Sequence, residues 1–155
     1  MHRRALEGYE KVLGPEHLDT LTSISKLGLV LESQGKYKEA EAMHRQDLEG
    51  SEKVLRLEHL DTLTSVSKLG LVLWRQDKNK EAEEMHRRAL EGYEKVLRPE
   101  HLDTLTSVSN LGSVLESQDK YKEADVMHRR ALEGYENFRS VLLTKGKYKE
   151  AEWMH

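Results

Sequence analysis

The chain repeats itself every 42 residues. The stretch that opens at Met1 returns at Met43 and Met85, and in shortened form at Met127. Residues 85–126 differ from residues 1–42 at seven positions: Gly14/Arg98, Ile24/Val108, Lys26/Asn110, Leu29/Ser113, Gly35/Asp119, Glu41/Asp125 and Ala42/Val126. A fixed period of about 20–50 residues marks a stacked array, in which one unit cannot bury its apolar face alone and must lean on its neighbours. Any fold for this chain therefore has to be one supersecondary unit used again and again.

Inside each unit the apolar residues step by three and four, the helical spacing. Ala5, Leu6, Tyr9, Val12 and Leu13 predict a half unit over 1–13, closed by Gly14 and Pro15. Leu18, Leu21, Ile24, Leu27, Gly28 and Leu31 predict a helix over 18–34; after a turn at Gly35, Ala40, Met43, Leu48 and Val54 predict its partner over 37–55. The pattern recurs over 60–76, 79–97 and 102–118, so 18–55 and 60–97 are full helix pairs. A glycine inside a helix costs about 1 kcal/mol against alanine. Its return as Gly28, Gly70 and Gly112 points to close contact with the partner helix. Asp77 and Asp119 replace the turn glycine and suit the left-handed region less well.

Two regions depart from the pattern. In the second unit Asp47 stands where the others have Ala5, Ala89 and Ala131, Ser51 replaces Tyr9, Asn79 replaces Tyr37, and Leu57 replaces Pro15. A buried unpaired carboxylate costs several kcal/mol, roughly 2–7 even for a neutral polar group. Asp47 is therefore expected to be partly solvated, and helix 37–55 to be the weakest packed. The last unit lacks the fifteen positions equivalent to 11–25, yet Ala124, Met127, Ala131, Tyr135, Phe138 and Leu142 keep helical steps across the junction. This predicts a third pair over 102–145 whose second helix is fused and long, a turn at Gly146, and a remnant helix within 146–155. Because the chain opens on a repeat methionine partway through a unit, it is expected to be a fragment or to lack upstream repeats.

The eight histidines fall into two series, one after methionine (His2, His44, His86, His128, His155) and one after glutamate (His17, His59, His101). Duplication explains both. Equivalent residues in packed helices lie about 10 Å apart, whereas zinc needs ligands at about 2 Å, so no metal is expected. There is no cysteine for a disulfide or thiolate site. No nucleophile has a base and an orienting group at a useful spacing, and no phosphate loop is present, so neither catalysis nor a cofactor is expected. Glu16-His17-Leu18-Asp19 reads as a helix entry, with Asp19 at the positive end of the dipole. A net charge of −3 leaves no electrostatic footprint for nucleic acid. The opening residues lack a signal-peptide core, and no apolar run approaches the roughly 20 residues of a membrane span. A cytoplasmic protein without membrane attachment is the expectation.

Leu111-Gly112, Leu115, Gln118–Ala124 and Arg129–Leu132 together form a pattern that resembles the tetratricopeptide repeat. The linker Lys11–Leu21 lengthens it to the form seen in kinesin light chains, and in near-identical fungal and bacterial arrays that often follow an NB-ARC or NACHT domain. Leu18, Leu60 and Leu102 depart from that family, which usually has proline there. The resemblance implies an all-α, right-handed superhelical solenoid of antiparallel helix pairs, one array over 1–155, with first helices lining a concave groove. That groove would carry Thr22, Ser25, Lys26 and Leu29, then Thr64, Ser67, Lys68, Leu71, Trp74 and Arg75, then Thr106, Ser109, Asn110 and Ser113. Trp74 stands where Glu32 and Glu116 stand, and reads either as an anchor or as an ordinary surface residue. The implied function is a non-catalytic scaffold binding a protein or peptide ligand. Two other readings stay open. One is a homo-oligomer joined through uncapped ends at Met1–Leu13 and at Phe138, Val141 and Leu142. The other is a ligand-sensing segment of a larger nucleotide-binding STAND-type protein.

Overall fold

Among the described residues the apolar steps of three and four become seven helices. The computed structural model describes residues 2–14 and 17–153. Its helices are α1 His2–Leu13, α2 Leu18–Ser33, α3 Tyr37–Val54, α4 Leu60–Arg75, α5 Asn79–Val96, α6 Leu102–Ser117 and α7 Tyr121–Trp153. Each packs on its neighbours in sequence, giving an all-α repeat solenoid, and no strand occurs among the described residues. No helix among them is long and apolar enough to cross a membrane. Pro15 and Glu16, expected in the first loop, lie outside the described residues, as do Met1, Met154 and His155.

Local chemistry sets the helix ends. His17, His59 and His101 sit in extended backbone before α2, α4 and α6, and Nδ1 of each accepts the amide of Asp19, Asp61 or Asp103 at 3.1 Å. An imidazole here does the work usually done by Ser, Thr, Asp or Asn at a helix start. At the turns, the amides of Lys36, Lys78 and Lys120 bond back to the carbonyls of Leu31, Leu73 and Leu115 at 2.8–2.9 Å. That closure needs a left-handed residue, supplied by Gly35 at φ 76° and then by Asp77 and Asp119 at φ 60° and 61°.

The other histidine series closes each pair from inside. A methyl group built on Gly28 would lie 2.7 Å from the His44 ring, on Gly70 2.7 Å from His86, and on Gly112 2.8 Å from His128. The first helix thus gives up its side chain so that an imidazole of the second can lie on its backbone. His44 and His86 are fully buried there. Around them runs the core, centred on Ile24, Val66, Leu69, Val72 and Leu73, with a smaller cluster at Val108, Leu111, Leu115, Ala124 and Ala131.

Two expectations are corrected. Asp47 is not partly solvated: it is 5% exposed, and Ser65 of α4 donates its hydroxyl to the carboxylate at 2.7 Å. A neighbouring hydroxyl has taken the place of water. The turn at Gly146 and the separate remnant helix are also absent, because α7 runs through Gly146 to Trp153. Glycine permits a turn without compelling one. With the deleted first helix fused into α7, a returning segment would have had little to pack on.

The close approach predicts opposite signs for one substitution at two sites. Gly8→Ala, in α1 with open space around it, should stabilise by up to about 1 kcal/mol. Gly70→Ala meets the His86 ring and should destabilise by roughly 1–3 kcal/mol. Thermal melts followed by circular dichroism would show this; a stabilising Gly70→Ala would refute the contact.

Candidate functional site

The residues expected to form a groove fall on α2, α4 and α6. Thr22, Thr64 and Thr106 are exposed, and their hydroxyls bond the carbonyls of Leu18, Leu60 and Leu102 at 2.8–2.9 Å. Lys26 and Leu29 are exposed, whereas Ser67, Leu71, Ser109, Asn110 and Ser113 are half-buried. Ser113 donates to the Ser109 carbonyl at 3.3 Å. Ser25 is buried and accepts Lys68 Nζ at 2.7 Å, a bridge from α4 to α2. Arg75 is exposed, 5.9 Å from the Tyr37 ring centre and 3.9 Å from Glu32. Trp74 is neither free nor wholly superficial: it packs against the core and donates its indole N–H to Ser117 Oγ at 2.8 Å, tying α4 to α6.

Between α2 and α4 lies a cavity of about 360 Å³. It gathers Thr22, Ser25, Lys26, Leu29, Thr64 and Lys68; the remaining expected groove residues do not line it. Its floor comes from Asp47 and Ser51 of α3 and from Leu55 just past its end, which sequence reasoning did not place at the site. The signal that could have found them was present: Asp47 and Ser51 break the repeat four residues apart, on one helical face. Burial pushes the Asp47 carboxyl up, against the Ser65 hydrogen bond and the Lys68 charge, which favour ionisation.

The second helices are finished differently. Arg45 bonds Glu81 and Arg87 bonds Glu123 at 2.9 Å, while Arg88 meets Glu52 at 2.7 Å and Arg130 meets Glu94 at 3.0 Å. Burial would raise Glu41 and Glu83. Hydrogen bonds from Lys78, Arg45 and Gln76 to the first, and from Arg87, Lys120 and Gln118 to the second, outweigh it and hold both at about 2.

Trp74 also changes the chemistry beneath it. His44 Nε2 has Glu32 at 3.2 Å, and His128 Nε2 has Glu116 at 3.6 Å. At the position equivalent to those glutamates the His86 pair has Trp74, and neither ring nitrogen of His86 has a hydrogen-bond partner among the described residues. Burial alone drives His86 down to about 4. Among the described residues there is no cluster of three or more His, Cys, Asp or Glu suited to a metal ion.

The tetratricopeptide repeat profile matches residues 1–53 and 59–137. No curated protein sequence matches the chain. Among solved structures, BtubC from P. vanneervenii superposes with a TM-score of 0.82 at 19% identity, over 89% of this chain and 55% of that one. A Podosopora anserina protein of nearly identical TPR-like repeats, described as a kinesin light chain, gives 0.79 in one crystal structure and 0.76 in another, at 23% identity. These cover 90% and 88% of this chain, and 66% and 65% of theirs. At such identities the likeness is one of fold, and the chain spans between half and two thirds of the length of each structure.

The orphaned imidazole predicts an acid sensitivity of known sign. Unfolded, His86 takes up a proton near pH 6.5; folded, it resists until about pH 4. Stability is therefore lost as pH falls from about 6.5 towards 4, with roughly 2 kcal/mol gone by pH 5. Glu41 and Glu83, depressed to about 2, lose their contribution only below their ordinary value of 4.5. Trp74→Glu restores the carboxylate found over the other histidines. Whatever it does to the melting temperature at pH 7, it should shrink the drop between pH 7 and pH 5. An undiminished drop would separate the acid response from His86.

Proposed function

The chain belongs to the tetratricopeptide repeat family, and from that premise we propose that it is a non-catalytic scaffold holding an extended peptide or a partner helix across α2, α4 and α6. The observation that carries this reading is the contrast between the two helix series. α3, α5 and α7 are bridged by long arginine–glutamate pairs whose charges are already matched. The first helices are joined by Lys68 to Ser25 and Trp74 to Ser117, with one Arg75–Glu32 pair at 3.9 Å. On this side α4 and α6 pack directly against each other. The same side offers hydroxyls, exposed Lys26 and Leu29, half-buried Leu71 and Trp74, and a cavity. A groove of apolar pockets among hydrogen-bonding groups is what peptide recognition requires.

A second reading, self-association, draws on α7. Tyr135, Phe138 and Leu142 lie on one stripe and are exposed, as are Val141 and Leu143 beside it. Light scattering across a concentration series separates the two. A peptide-binding monomer keeps its mass, while an assembly through α7 grows with concentration and loses that growth on Phe138→Glu.

The groove itself is tested by selecting a peptide from a random library and titrating it against tryptophan fluorescence. Leu71→Ala and Lys68→Glu should each weaken binding at least about tenfold, a loss of about 1.4 kcal/mol or more. Trp74→Glu should remove most of the signal. Unchanged affinity in all three variants would place the partner elsewhere.

A further inference from the structure

The cavity floor is the point where the array leaves out one of its own rings. Ser51 stands where Tyr9, Tyr93 and Tyr135 stand. In α5 the Tyr93 side chain is buried, and its phenol reaches Thr64 at 3.2 Å and is also hydrogen-bonded to Ser67. In α7 the Tyr135 phenol meets Thr106 at 3.3 Å. One unit earlier, Thr22 and Ser25 occupy the places of Thr64 and Ser67, but no ring rises from α3 to meet them. The result is the 360 Å³ cavity, within the ~300–1,000 Å³ range of small-ligand sites.

Polar groups select among occupants. Asp47 is 5% exposed and faces this cavity with one oxygen held by Ser65; Lys68 crosses its mouth to Ser25. Helical side chains lean towards the helix N-terminus. A ring lodged beside Ser51 therefore leans towards Asp47, four residues before it on the same helical face. A cationic group entering here meets Lys68 and Lys26; an anionic one meets Asp47 and Asp61. A neutral group that both donates and accepts, carried on a flat apolar ring, suits the carboxylate, the ammonium and the walls of Leu18, Leu21 and Leu55. We propose that this cavity receives the phenol of a tyrosine in the bound partner, seated where the array's own tyrosine is missing. The proposal rests on the groove reading above and names the side chain that the groove selects.

The probe is p-cresol, with toluene and butylamine as comparators, each titrated into the whole chain and followed by amide chemical shifts. p-Cresol should saturate shifts at Thr22, Ser25, Ser51 and Thr64, at least fivefold more tightly than either comparator. Ser51→Tyr supplies the ring internally. It should weaken p-cresol at least tenfold and raise the melting temperature, which also shows that the variant folds. Asp47→Ala should weaken p-cresol and leave toluene unchanged. Equal binding of toluene, tighter binding of butylamine, or p-cresol shifts that survive Ser51→Tyr would each overturn the proposal. Library-selected peptides that carry tyrosine and lose tenfold affinity on Ser51→Tyr support it. Selected peptides that bind that variant equally well overturn it while leaving the groove intact. If p-cresol seats and no peptide can be selected, the groove reading fails and the phenol chemistry stands.

Discussion

An imidazole lying on a bare stretch of backbone fixes the spacing of every helix pair. Gly28, Gly70 and Gly112 have no side chain because His44, His86 and His128 occupy the place where one would go. The same device runs in reverse about two turns along, where Gly50, Gly92 and Gly134 of the second helices make room for Leu21, Leu63 and Leu105. Interiors are packed to crystal density, so such contacts leave little play. Once the spacing is set, the core residues of neighbouring pairs meet in the same register, and near-identical sequence becomes near-identical geometry.

Against that fixed frame, the few diverged positions act together. Trp74 ties α4 to α6 through Ser117, and in the same step removes the carboxylate that the imidazole below it would have had. Asp47 and Ser51 put a carboxylate and a small hydroxyl where the other units have a methyl and a phenol, and Ser65 and Lys68 of α4 bond to Asp47 and Ser25 beside them. The diverged positions Asp47, Ser51 and Trp74 of the second unit thus fall on the elements that frame the cavity and the proposed groove. Surface ion pairs on the opposite side, each worth about 0–1 kcal/mol, fix orientation more than they stabilise.

The bounds of α1 to α6 were legible from periodicity to within a residue, the far end of α7 was not, and the glycine contacts followed from the cost of keeping glycine inside a helix. The histidines were not legible as packing residues. Read by type they are polar and repeated, and nothing in the spacing says that one series lies on glycine while the other caps α2, α4 and α6. Asp47 was misjudged because its partner, Ser65, comes from the next helix pair. Gly146 was misjudged because a turn depends on what the returning chain can pack against. That the residues expected to form a groove fall on α2, α4 and α6 followed from the repeat register. The cavity did not, since it is made by an absence on α3 that becomes visible only with α2 and α4 on either side.

All of this requires that each helix pair owe its stability to its neighbours. A length series of residues 18–54, 18–97 and 18–153, melted under identical conditions, tests that requirement directly. Nearest-neighbour stacking predicts almost no helix in the shortest piece and a melting temperature that climbs with each added pair. A single pair that folded alone and melted where the longest piece melts would contradict it.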